Sequence, residues 1–75
     1  MDNKHYKVFV QIGLNILYYR KEQGITQQEL AEMTSFSRNH IQQIETANAT
    51  PSVAALLDIA DALHVHVGKL FESRT

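Results

Sequence analysis

Arg38, Asn39, His40, Gln42 and Gln43 fall within six consecutive positions, and no carboxylate follows until Glu45. Most of these side chains carry paired hydrogen-bonding groups in a fixed plane. A guanidinium such as that of Arg38 can bridge O6 and N7 of guanine, and the amides of Asn39, Gln42 and Gln43 match the donor and acceptor of adenine. An ordinary exposed helix mixes Lys with Glu, which pair across a turn and favour helix formation. Amides serve that purpose poorly and serve base edges well, so the run points to contact with DNA bases. Gln27 offers a second kind of chemistry. It falls at the first residue of an expected helix, where unpaired backbone N–H groups and the helix dipole favour a phosphate.

Such side chains need rigid elements to hold them, and residues 24–45 supply two helix starts in succession. Thr26 and Glu29 form a Thr-x-x-Glu capping box, in which the hydroxyl takes an orphan N–H and the carboxylate reaches back to the cap. Ile25 and Leu30 are spaced as a hydrophobic staple. The pattern recurs with Ser37 as cap and Phe36 facing Ile41, although His40 replaces the Glu. Two short helices joined by a tight turn, the second polar along its outer side, form a helix-turn-helix pattern.

The remaining elements complete an all-α reading. A first helix is expected over about Tyr6 to Gln23, burying Phe9, Ile12, Ile16 and Tyr19 at three-four spacing, with Gly24 in the left-handed position beyond its end. The second covers about Gln27 to Thr34 and buries Leu30 and Ala31. The third covers about Arg38 to Thr46 and buries Ile41 and Ile44. After a loop from Ala47 to Thr50, Pro51 opens a fourth helix capped by Thr50 or Ser52, with Val53, Leu56, Leu57, Ala60 and Leu63 as its core stripe. His64 is expected at positive φ, which His tolerates better than most residues. A last short helix, about Val67 to Ser73, returns Leu70 and Phe71 to the core. Strand-like alternation, repeats and low-complexity segments are absent from the sequence. The expectation is one domain over residues 1–75, with 6–73 folded and 1–5 a flexible N-terminus.

Composition narrows the function classes. A chain of 75 residues buries only about 60% of its unfolded surface, so nearly every apolar residue must contribute to the core. The absence of cysteine excludes disulfides and thiolate metal sites. No segment approaches the ~20 apolar residues that span a bilayer, so a cytoplasmic protein with no membrane association is expected. His5, His40, His64 and His66 make no set of metal ligands, and no cofactor is expected. No nucleophile-base-acid set and no glycine-rich phosphate loop occurs, so neither an enzyme nor a small-molecule substrate is expected. Seven Lys and Arg against eight Asp and Glu give a net charge of −1, an unusual balance for a chain that meets a phosphate backbone.

From about Ile12 to Phe71 the chain resembles the Cro/repressor-type, or XRE-like, helix-turn-helix family. The matching residues are Ile12-Gly13, Ile16, Tyr19-Arg20, Gly24-Ile25-Thr26-Gln27-x-Glu29-Leu30-Ala31, Ile41, Ile44-Glu45, Pro51-Ser52, Leu56, Ala60-x-x-Leu63, Val65 and Leu70-Phe71. The resemblance implies a compact five-helix, lambda-repressor-like domain that binds double-stranded operator DNA as a homodimer and regulates transcription, most simply by repression. It implies that Gln27 clamps a backbone phosphate, and that Arg38, Asn39 and Gln43 read base edges, with Gln42 a weaker match. It also implies a partly buried salt bridge between Arg20 and Glu45. Thr26, Gln27, Ser37, His40, Thr46, Asn48 and Ser52 are the candidate phosphate contacts. The loop 46–49 departs from the family pattern, with alanine at the glycine position and no cation after it. Each missing cationic contact lowers the salt dependence of binding by about one unit.

Val10, Leu14, Leu17 and Tyr18 form a second apolar stripe on the first helix, away from the core. Four such residues at helical spacing suggest a covered surface, for a second subunit or another partner. Val65, Val67 and Phe71 form the competing dimer surface. A protein-interaction module or antitoxin-type adaptor, using the first-helix stripe with little DNA binding, is the alternative function.

Overall fold

The computed structural model describes residues 4–73. Among the described residues four α-helices follow one another, α1 (Tyr6–Glu22), α2 (Gln27–Met33), α3 (Arg38–Glu45) and α4 (Val53–Ala62), and a 3-10 turn (Val67–Phe71) is the last element. The fold is all-α, as expected, with the last element a 3-10 turn that ends at Phe71. The expected flexible N-terminus lies outside the described residues for positions 1–3, while residues 4 and 5 form a turn leading into α1.

The starts of α2, α3 and α4 are each capped by a short hydroxyl side chain, whereas α1 follows His5 without a side-chain cap. The Glu29 N–H donates to Thr26 Oγ1 at 3.0 Å and the Thr26 N–H donates to Glu29 Oε1 at 2.9 Å, completing the capping box. Ser37 accepts from the His40 N–H at 3.1 Å, and Ser52 accepts from the Ala55 N–H at 3.0 Å. Pro51 therefore precedes the cap of α4 and does not open the helix, and Thr50 is not the cap. Between α2 and α3 the Thr34 hydroxyl donates back toward Leu30 O at 3.0 Å and accepts from the Phe36 N–H at 3.3 Å, closing the tight turn.

The ends of α1, α3 and α4 share one geometry. Each has a left-handed residue just past its last turn, Gly24 (φ 70), Ala47 (φ 60) and His64 (φ 58). The following N–H reaches back over five residues in each case: Ile25 to Arg20 O at 2.9 Å, Asn48 to Gln43 O at 2.8 Å, and Val65 to Ala60 O at 3.0 Å. These are Schellman endings, which satisfy carbonyls that a helix terminus leaves open. Gly24 and His64 take the expected role. Ala47 carries a Cβ into a conformation that costs an L-residue on the order of 1–2 kcal/mol.

The core comprises Ile12 and Ile16 of α1, Leu30 and Ala31 of α2, Ile41 and Ile44 of α3, and Leu56, Ile59, Ala60, Leu63 and Leu70 beyond them. Three residues assigned to it from the sequence lie outside. Val53 is 72% exposed and Leu57 50% exposed. Val53 is the first residue of α4, past the edge of the packed layer, and Leu57 sits about 100° around the helix from Leu56. Phe71 is also 50% exposed, because Leu70 takes the core position of the 3-10 turn.

Two residues of α1 bind the other elements to it. Asn15 is fully buried. Its Nδ2 donates to Leu70 O at 2.9 Å and Glu72 O at 2.8 Å, and its Oδ1 accepts from Gln11 at 3.2 Å, so the final turn hangs on this amide. Gly13 faces the end of α3. A Cβ added there would lie 2.5 Å from Glu45 O and 2.7 Å from Ile44 O, so the two helices meet backbone to backbone.

Candidate nucleic-acid interface

α3 turns Ile41 and Ile44 into the core and leaves its other sides to polar residues. Arg38, Asn39 and His40 are exposed, and Gln42 and Gln43 are half-buried. Asn39, Gln42 and Gln43 share one face by their spacing of three and four. The four residues expected to touch bases are thus brought onto one short helix, Arg38 and Asn39 open and Gln42 and Gln43 less so. The His40 ring lies against the Phe36 ring, with centroids 5.1 Å apart, which ties it to the turn that precedes α3.

Beneath this surface lies an ion pair. Arg20 Nε donates to Glu45 Oε2 at 2.7 Å and Arg20 Nη2 donates to Glu45 Oε1 at 3.0 Å, a bidentate pair with side chains 8% and 3% exposed. Arg20 Nη1 also donates to Ile25 O at 2.9 Å. One residue thereby joins α1, the loop before α2 and the end of α3. The pair implied by resemblance is present, and its burial makes it a fixed part of the scaffold.

Gln27 connects this pair to the outer surface. Its Nε2 donates to Glu45 Oε1 at 2.9 Å, and its Oε1 accepts from Arg38 Nη1 at 3.2 Å. The donor that a phosphate clamp would use is therefore turned inward. At this helix start the capping box takes the Glu29 N–H, which leaves the N–H groups of Gln27 and Gln28 to meet an anion. Neither Gly13, Asn15 nor the double role of Gln27 is evident from side-chain chemistry alone. Gly13 did carry a signal, since glycine inside a helix costs about 1 kcal/mol relative to alanine and calls for a packing reason.

The remaining hydroxyls differ in what they can still give. Thr26, Ser37 and Ser52 accept backbone N–H groups and keep their own protons for an incoming acceptor. Thr46 donates its proton to Gln42 O at 2.9 Å and accepts from Asn48 Nδ2 at 2.9 Å, so these two loop residues are occupied with each other.

Charge on this side is sparse. Arg38 is the cation that α2 and α3 expose, since Arg20 is paired and Lys69 lies 3.6 Å from Glu72 on the last turn. The capping bonds from the Thr26 backbone and side chain hold the Glu29 carboxyl below the ordinary carboxylate value. Glu29 thus stays ionised at neutral pH and, with Glu32, makes the outer side of α2 anionic. Among the described residues no group of three or more His, Asp or Glu is placed to hold a metal ion, and no helix is long and apolar enough to cross a membrane.

The opposite face of α1 carries an open hollow of about 500 Å³ lined by Leu14, Leu17, Tyr18, Lys21 and Glu22. Leu14 and Tyr18 are 49% and 43% exposed, and Val10 and Leu17 are half-buried beside them. Val65 and Val67 pack partly against the core, which leaves Phe71 as the exposed apolar residue of the competing surface.

Comparison with known proteins gives a consistent picture. The profile of the family described as helix-turn-helix, HTH_3, matches residues 16–70. The chain is 33% identical over 54 residues to the uncharacterized HTH-type transcriptional regulator y4dJ of Sinorhizobium fredii, covering 72% of this chain and 70% of that protein. It is 36% identical over 62 residues to the competence pilus inhibition repressor of Acinetobacter baylyi, covering 83% of this chain and 56% of the repressor. The fold superposes on the restriction-modification controller protein C.AhdI of Aeromonas hydrophila with a TM-score of 0.87 at 26% identity, covering 92% of this chain and 100% of that one.

Proposed function

This chain belongs to the HTH_3 helix-turn-helix family, and from that premise we propose that it is a cytoplasmic, DNA-binding transcriptional regulator that reads an operator as a homodimer and represses by occupying a promoter. The observation that carries this reading is the outer side of α3, where Arg38, Asn39, Gln42 and Gln43 stand together on a capped helix braced by a buried ion pair. Their donors and acceptors match base edges in the major groove. Two copies of α3 enter successive major grooves about 34 Å apart on a roughly palindromic site. Phosphates are met by the start of α2 and by Thr26, Ser37, His40 and Ser52, with Thr46 and Asn48 as lesser contributors.

Binding to duplexes selected from a random pool tests this. Arg38→Ala is expected to weaken the selected operator about tenfold or more, to weaken unrelated duplexes less, and to lower the salt slope. Because Arg38 is the lone cation that α2 and α3 expose, affinity should fall gently with salt, with a slope of ~2 or less on logarithmic axes. A purified protein with no salt-dependent affinity for any duplex, including the DNA upstream of its own gene, would overturn the proposal.

One observation favours a second reading, in which the helix-turn-helix is a scaffold and α1 binds a protein partner: the apolar hollow at Leu14, Leu17 and Tyr18. Under the dimeric reading this surface joins the two copies, and Leu17→Arg is expected to yield a folded monomer in sedimentation. An unchanged dimer would move the subunit contact to the last turn, around Val65, Val67 and Phe71.

A further inference from the structure

Gln27 stands between two groups of opposite hydrogen-bonding character. Glu45 Oε1 accepts from its Nε2 at 2.9 Å, and Arg38 Nη1 donates to its Oε1 at 3.2 Å. A carboxylate has no proton to give and a guanidinium has no lone pair to offer, so only one orientation of the amide satisfies both. Glu45 has little freedom of its own. Its side chain is 3% exposed, and Arg20 holds both of its oxygens, at 2.7 and 3.0 Å. A rigid carboxylate thus sets the amide, and the amide sets the guanidinium on the surface.

We propose that Glu45, a buried scaffold residue, is a specificity-determining positioning residue that acts through Gln27 to hold the Arg38 guanidinium at the angle at which it meets one base pair. This rests on the DNA-reading function proposed above. One Arg38 N–H is spent on Gln27, and those remaining suffice for the two parallel bonds of a guanine contact. A guanidinium already held loses less freedom on binding than a free one. That advantage is gained only with the base that fits the held angle, so it discriminates between sequences rather than strengthening all binding. Gln27 correspondingly has one of its two N–H donors committed to the interior and less to offer a phosphate. Its nitrogen faces the interior, and a phosphate would repel its outward oxygen.

Two variants probe the relay. Gln27→Met has similar length without hydrogen-bonding groups and leaves the ion pair intact, and Glu45→Gln keeps the shape of the carboxylate while removing its charge. The readout is affinity for a selected operator and for duplexes changed at the base pair to which Arg38→Ala becomes indifferent. Gln27→Met is expected to cut the preference at that base pair about tenfold, with preferences elsewhere and the salt slope unchanged. Glu45→Gln should act in the same direction, and the double variant should lose no more preference than the larger single effect, because both lie on one path. If Gln27→Met weakens all duplexes alike and leaves the preference intact, Gln27 is a phosphate contact and the relay is wrong. The coupling is also read without DNA, from NMR signals of the Arg38 guanidinium and the Gln27 amide in the free protein. Gln27→Met should move the Arg38 signals toward those of an unconstrained arginine, and unchanged signals in that variant would overturn the relay. A wild-type protein that binds no duplex would overturn the DNA function, and the specificity role with it, while the NMR result would still decide whether the coupling exists.

Discussion

Glu45→Ala is expected to lower stability by about 3–5 kcal/mol, because it leaves the Arg20 guanidinium buried and without its counter-charge. A domain of this size has on the order of 5–10 kcal/mol in total, so much of the margin disappears. At about 4–8 °C per kcal/mol, the midpoint of thermal unfolding should fall by roughly 12–40 °C. The reason is the cost of the survivor rather than the strength of the pair. Arg20 is 7% exposed, and its remaining partner, Ile25 O at 2.9 Å, is a neutral carbonyl that cannot replace a carboxylate. The same argument predicts that Arg20→Met combined with Glu45→Leu recovers most of the loss, since buried pairs replaced by apolar residues of similar volume are often tolerated. Thermal unfolding of the single and double variants checks both statements. A drop below ~1 kcal/mol for Glu45→Ala would mean that water reaches the pair.

Gly13→Ala is expected to destabilise by about 2–4 kcal/mol, a reversal of the usual sign for this exchange. In an unobstructed helix interior, alanine is better than glycine by about 1 kcal/mol. Here the added Cβ would lie 2.5 Å from Glu45 O and 2.7 Å from Ile44 O. Those atoms are backbone at the end of α3, so no rotamer change relieves the clash and the helices must separate. Overpacking a close contact costs about 1–3 kcal/mol, and lost core contacts between α1 and α3 add to it. The midpoint should fall by roughly 8–32 °C. The movement would also tilt α3, so operator preference should change in the fraction that stays folded. A midpoint equal to or above that of the wild type would show that α3 can shift at little cost.

Much of this fold is legible in the sequence, and the residues show why. Thr26, Ser37 and Ser52 are caps because a short side-chain oxygen reaches its own chain a few residues on, an interaction that depends on local order alone. Gly24 and His64 mark helix ends for a similarly local reason, their tolerance of positive φ. Periodicity places Ile12, Ile16, Leu30, Ile41, Ile44, Leu56 and Leu63 inside, as found. It goes wrong at Val53, Leu57 and Phe71, because periodicity defines the face of an element but not how far the packed layer extends along or around it.

The candidate site divides along the same line. The side-chain types of Arg38, Asn39, Gln42 and Gln43, their shared helix and its cap follow from the order of residues, because hydrogen-bonding capacity and helix starts are properties of short segments. The pairing of Arg20 with Glu45 came from family resemblance, since 25 residues separate them. What only the tertiary structure decided is the use of Gln27 and Gly13. Gln27 turns its amide nitrogen inward because the fold sets a buried carboxylate beside it, and Gly13 is glycine because the end of α3 crosses there. Both depend on which distant backbone arrives at a given point, a matter settled by the packing of the whole core.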